Sequence, residues 1–160
     1  MAMPNSRTLK FICNELGRGL SLYLTFTPPG PKSGDVAPTP VIWKVVEFQP
    51  TGQGLALTRY TGVTAFVVPA SEEGNRVIAS NSQPGQRCTL ISALDGSDAV
   101  TKAIAGDPNY VRCANNTSSV ADIGFGLTEA DGTDVELIHF WRGVPFVIFR
   151  LNSTKHVLSI

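Results

Sequence analysis

Charge is what this chain has least of. Asp, Glu, Lys and Arg make up only 16% of its 160 residues, against ~25% in an ordinary soluble domain. Thirteen basic residues balance thirteen acidic ones, so no net field gathers phosphates or draws the protein to an anionic bilayer, and neither nucleic acid nor membrane is an expected partner. Histidine is nearly as scarce. With His139 and His156 alone, and no local cluster of His, Cys, Asp and Glu, the three or four ligands that zinc takes are missing, and no metal or cofactor is expected.

The three cysteines, Cys13, Cys88 and Cys113, are too few to pair completely and form no C-x-x-C motif, so free, buried thiols are expected. Arg87 and Arg112 each precede a cysteine. Successive side chains of a strand face opposite ways, so neither arginine activates its neighbour's thiol. No G-x-S-x-G elbow is present, and Gly124-Phe125-Gly126 falls in a strand pattern rather than in a phosphate-binding strand–turn–helix. No catalytic residue is assigned. No apolar run reaches the ~18 residues of a membrane span, and the first residues carry no signal-peptide core, so a soluble cytoplasmic protein is expected.

What the chain does have is apolar alternation. Its hydrophobic fraction is 42% and its mean hydropathy +0.07, enough for residues 1–160 to form a single domain that buries roughly 70% of its unfolded surface. Leu20, Leu22, Leu24 and Phe26 alternate with Ser21, Tyr23, Thr25 and Thr27, a period of two that specifies a half-buried strand. Turn signals such as Thr51-Gly52, Glu72-Glu73-Gly74-Asn75 and Pro84-Gly85 recur every 8–12 residues, the spacing of an all-β sandwich or barrel. The expected fold is an antiparallel β-sandwich of about ten strands with Greek-key or jelly-roll connections. At most one short helix fits, over Asp95 to Pro108, where Ser97 can cap and Val100 and Ile104 stand four apart.

Three stretches define the expected architecture. Thr133 to Leu151, the densest apolar and aromatic run, reads as a hairpin turning at Arg142 to Pro145. It pairs Trp141 with Phe146, His139 with Ile148 and Leu137 with Arg150. Val41 to Gln49 is apolar on both faces, as a central strand would be. Pro28 to Pro40 holds five of the eleven prolines and is a long loop, either covering a sheet edge or serving as a lid. Because a two-layer sandwich buries one side of each sheet, outward residues such as Val147, Phe149 and Leu151 need cover from a second copy, and a homodimer is expected.

Three functions from different classes fit these residues. The first is a non-enzymatic, lectin-like module in which an exposed Trp141 or Trp43 stacks on a sugar while loop groups such as Asn115 and Arg142 bind its hydroxyls. The second is a carrier of an apolar or planar small molecule, bound between the sheets or at a dimer interface near Trp141, His139 and Phe146. The third is an enzyme using His139 with Arg150 or a cysteine. For Trp43, Trp141 and His139 the competing role is plain core packing.

Overall fold

The structure of the chain, a computed structural model, describes residues 7–27, 36–60, 62–69, 77–94, 96–128, 134–150 and 158–159. In chain order the strands are β1 (Arg7–Asn14), β2 (Leu20–Phe26), β3 (Thr39–Pro40), β4 (Ile42–Phe48), β5 (Gln53–Tyr60), β6 (Thr64–Pro69), β7 (Val77–Ser82) and β8 (Gln86–Ser92). They continue with β9 (Asp98–Val100), β10 (Ile104–Ala105), β11 (Tyr110–Asn115), β12 (Ala121–Thr128), β13 (Val135–Val144), β14 (Phe146–Arg150) and β15 (Leu158–Ser159). The fold is all-β, an antiparallel sandwich. No helix occurs among the described residues, and hence none long and apolar enough to cross a membrane.

One large sheet runs β3-β13-β12-β6-β7, and facing strands run β10-β8-β11-β14 with β9 also on β8. β1 pairs with β5, and β2 lies between β4 and β15. A single buried cluster joins the sheets: Leu24 and Phe26 of β2, Trp43 of β4, Phe66 of β6, Phe125 of β12, Trp141 of β13, Val111 of β11 and Val147 of β14 all belong to it. Phe26, Trp43 and Tyr60 meet edge to face with ring centroids 5.3–5.9 Å apart, so aromatic packing ties β2, β4 and β5 together.

The expected hairpin does not form. β13 pairs with β12 and β3, β14 pairs with β11, and the register sets Trp141 against Ile123 and Phe146 against Ala114. Pro145 is the corner at which the chain leaves one sheet for the other. It has no N–H to give a ladder, its carbonyl accepts from the Asn115 N–H at 3.0 Å, and the preceding Gly143 takes a left-handed φ of 57°. The corner also reverses the expected outer face, since Val147 is core at 1% exposure whereas Phe146 is 43% exposed. The side chains of Phe149 and Leu151 lie outside the described residues.

The expected helix is likewise absent. Asp98–Val100 and Ile104–Ala105 are short strands that pair with β8, whose unpaired edge offers more backbone hydrogen bonds than two isolated helical turns. Val41 to Gln49 is not a central strand: β4 has β2 as its one described neighbour, and Ile42 and Val45 are exposed. Its two-sided look comes from a bulge. Leu24 faces Lys44 and Thr25 faces Ile42, leaving Trp43 without a partner in the register, and a bulge of this kind turns two successive side chains to one side. Of the proline-rich loop, residues 28–35 lie outside the described residues. Its end, β3, pairs with His139 and Phe140 along the edge of the large sheet.

Candidate functional site

The residues that the sequence marked for binding are mostly structural. Trp141 is 4% exposed and its Nε1–H donates to the Val36 carbonyl at 3.2 Å. Trp43 is 6% exposed and its Nε1–H donates to Glu136 Oε2 at 2.7 Å. Lys44, turned the same way by the bulge, ion-pairs with Glu136 Oε1. Neither tryptophan presents a ring face to solvent, because each sits on the inner side of its sheet. The expected stacking platform is therefore not at Trp43 or Trp141.

His139 is fully buried, packed edge to face on Trp141 with ring centroids 6.2 Å apart. Asn115 pins the turn after β11. Its Nδ2 donates to Ser119 O at 2.7 Å and Val144 O at 3.3 Å, and its Oδ1 accepts from the Thr117 N–H and hydroxyl. Arg142 is exposed at the β13 corner. Arg150 faces Tyr110 in the β14–β11 register, and its side chain lies outside the described residues.

A different set of residues comes together where β8 and β11 run side by side. This pair is parallel, an exception in an antiparallel fold, and it places Arg87 opposite Arg112 and Cys88 opposite Cys113. Alternation then separates the two rungs by face. The cysteines enter the core at 1% and 0% exposure, and the arginines stand together on the outside.

Around the arginines lies a groove of about 480 Å³, lined also by Gln86, Ala105, Gly106, Asp107 and Tyr110. The wall opposite β11 exists because the chain doubles back along β8, the Gly106 N–H donating to Gly85 O at 2.7 Å and the Gly85 N–H to Tyr110 O at 3.0 Å. A Cβ on Gly106 would approach Arg87 N to 3.4 Å, so a glycine keeps this wall close.

The groove's charge is positive on balance. The Arg112 guanidinium rests over the Phe146 ring, 5.5 Å from its centroid, which orients it without neutralising it. Asp107, the one carboxylate in the lining, accepts from the Asn109 N–H at 2.9 Å and from Asn109 Nδ2 at 3.2 Å, forming the turn into β11. Among the described residues neither arginine is ion-paired. Two adjacent guanidinium forks with an aromatic hydroxyl and an amide beside them can hold a carboxylate or phosphate bidentately.

Under the arginines the two thiols lie on one buried rung. The Cys113 thiol beside it holds Cys88 below the usual thiol range against the opposing cost of burial. The neighbouring Cys88 sulfur, together with burial, pushes Cys113 up. No group of three or more His, Cys, Asp and Glu placed to hold a metal ion occurs among the described residues.

Arg87, Arg112 and Tyr110 were not among the binding residues read from the sequence. The signal was present in the repeated Arg-Cys dipeptide: the parity that sends both cysteines inward must send both arginines outward. That they share a rung depends on a parallel pairing that nothing local announces. No protein-family model matches the chain, and no curated protein or solved structure matches it.

Proposed function

We propose that this protein is a non-enzymatic binding module that takes an acidic sugar, or a similarly small polar molecule bearing a carboxylate or phosphate, in the β8–β11 groove. One observation carries the reading: Arg87 and Arg112 stand opposite each other across a strand pair, on the outer face, at the floor of a polar groove. The anionic group bridges the two guanidinium forks, while Gln86, Tyr110 and Asp107 are within the same lining to meet hydroxyls. This keeps the lectin-like class and moves its site from the tryptophans to the arginines. Catalysis by His139 has no support in its fully buried position.

Calorimetric titration with glucuronic acid, glucose and inorganic phosphate tests the proposal and separates its sources. Glucuronic acid binding without glucose binding supports the acidic-sugar form, and phosphate binding alone supports the phosphate form. In either case Arg87→Ala or Arg112→Ala should weaken binding roughly ten- to a hundredfold, the equivalent of about 1.5–3 kcal/mol for a charged hydrogen bond, and added salt should weaken it further. Binding that survives both substitutions, or no binding by any of the three, would remove the groove from consideration.

A further inference from the structure

We infer that Cys88 and Cys113 close an intrachain disulfide when the protein meets hydrogen peroxide. The geometry is that of a bond waiting for an oxidant. Parallel register puts the two residues directly opposite each other on strands that lie about 4.7–4.9 Å apart, inside the roughly 4.4–6.8 Å between Cα atoms that a disulfide spans. Both side chains point to the same inner face and are buried there side by side on one rung. Closing the bond takes side-chain rotation within that spacing. The third cysteine has no such partner, because Cys13 faces Gly54 in the β1–β5 pair.

The oxidant follows from burial. At 1% and 0% exposure the sulfurs are closed to bulky thiol reagents and disulfides, so the oxidant is one about the size of water that enters through local opening of the fold. In the first step the Cys88 sulfur, as thiolate, attacks one peroxide oxygen. An S–O bond forms, the O–O bond breaks, and the departing hydroxide takes a proton to become water. In the second step the Cys113 sulfur attacks the Cys88 sulfenic acid, forming S–S and breaking S–O, and the hydroxide that leaves takes the Cys113 proton as a second water. Two thiols lose two electrons and two protons in all, and the peroxide is reduced to two waters. The neighbouring Cys113 thiol, which holds Cys88 below the usual thiol range, favours Cys88 as the attacking sulfur.

The test is to expose the folded protein to hydrogen peroxide, quench with catalase, and alkylate in denaturant before intact-mass measurement and peptide mapping. Before oxidation all three free cysteines should take the alkyl group. Afterwards Cys13 alone should take it, the protein should be lighter by two hydrogens before alkylation, a peptide linking Cys88 to Cys113 should appear, and dithiothreitol should restore all three thiols. Cys13→Ser must form the same bridge, and since Cys13 is outside the pair this variant keeps the test independent of core substitutions. Three alkylatable thiols after exposure, sulfinic acid at Cys88 or Cys113 without a crosslink, or a bridge that involves Cys13 would each overturn the inference.

Discussion

β12 and β5 carry similar alternating sequences and are buried to opposite degrees. In β12 every residue from Ile123 to Thr128 is buried, both glycines included, whereas β5 leaves Leu55 and Leu57 60% and 64% exposed. Leucine is by far more apolar than glycine, so residue type alone does not account for buried Gly124 and Gly126 beside exposed Leu55 and Leu57. The difference is in what surrounds each strand. β12 lies between β13 and β6, with the core on one face and close neighbours on the other, whereas β1 is the one described strand on β5. A Cβ built on Gly124 would come within 2.5 Å of Leu137 Cδ2 and 2.7 Å of Val67 Cγ2, and one on Gly126 would collide with the Glu136 carbonyl oxygen. Two of the smallest residues thus sit in a crowded part of the large sheet, and two large aliphatics of β5 face outward.

Substitutions on the two strands and their neighbours turn this contrast into numbers. Trp141→Ala, across the ladder from Ile123, should destabilise most, by about 3–5 kcal/mol in denaturant unfolding, since it empties a core site. A loss under 1 kcal/mol would mean that the large sheet is far less tightly covered than its burial implies. Gly126→Ala should come next at about 3 kcal/mol, because the obstruction is backbone. Gly124→Ala should cost about 1–2 kcal/mol, because Leu137 and Val67 can turn aside. Equal costs at the two glycines would remove the distinction between backbone and side-chain crowding.

Leu57→Ser should change stability least, within about 0.5 kcal/mol. Its larger effect should be on association. The proposed homodimer now has to be sought at the exposed aliphatics Ile12, Leu55 and Leu57 rather than at Val147, and light scattering should give about twice the 17.1 kDa chain mass, falling towards one chain mass when both leucines become serine. A monomeric wild type would show that these leucines tolerate water.

The strands were legible because a period of two survives in any sheet. Leu24 and Phe26 are core and Tyr23 is exposed, as the alternation of Leu20 to Thr27 requires, whereas Leu20, expected to face inward, is 41% exposed at the start of its strand. Pairing was not legible, because alternation says which way a side chain faces and nothing about which strand lies alongside. Two alternating arms either side of Arg142-Gly143-Val144-Pro145 fit a hairpin and a sheet-to-sheet corner equally well, and the missing Pro145 N–H decides for the corner. The four-residue spacing of Val100 and Ile104 failed for a similar reason, since the edge of β8 outcompeted local helical preference. At the site, tryptophan's suitability for stacking drew the reading to residues that the core needed more. The arginines that do face solvent became neighbours only through contacts between segments more than twenty residues apart.

That parallel β8–β11 pairing has a consequence for how the chain reaches its fold. A hairpin closes at once, but two parallel neighbours require the intervening chain, here residues 93–109, to travel out and return before the two gain a hydrogen bond from each other. The entropy of that closure comes first and the packing of Cys88, Cys113 and Val111 only afterwards, which places the step late in folding. Local antiparallel pairs such as β6–β7 and β12–β13 should therefore be present in the refolding chain before Arg87 and Arg112 are brought level. Ligand capacity should return in the slowest kinetic phase, after most of the strand signal in circular dichroism has recovered, so that a young molecule is already β-rich while still unable to bind.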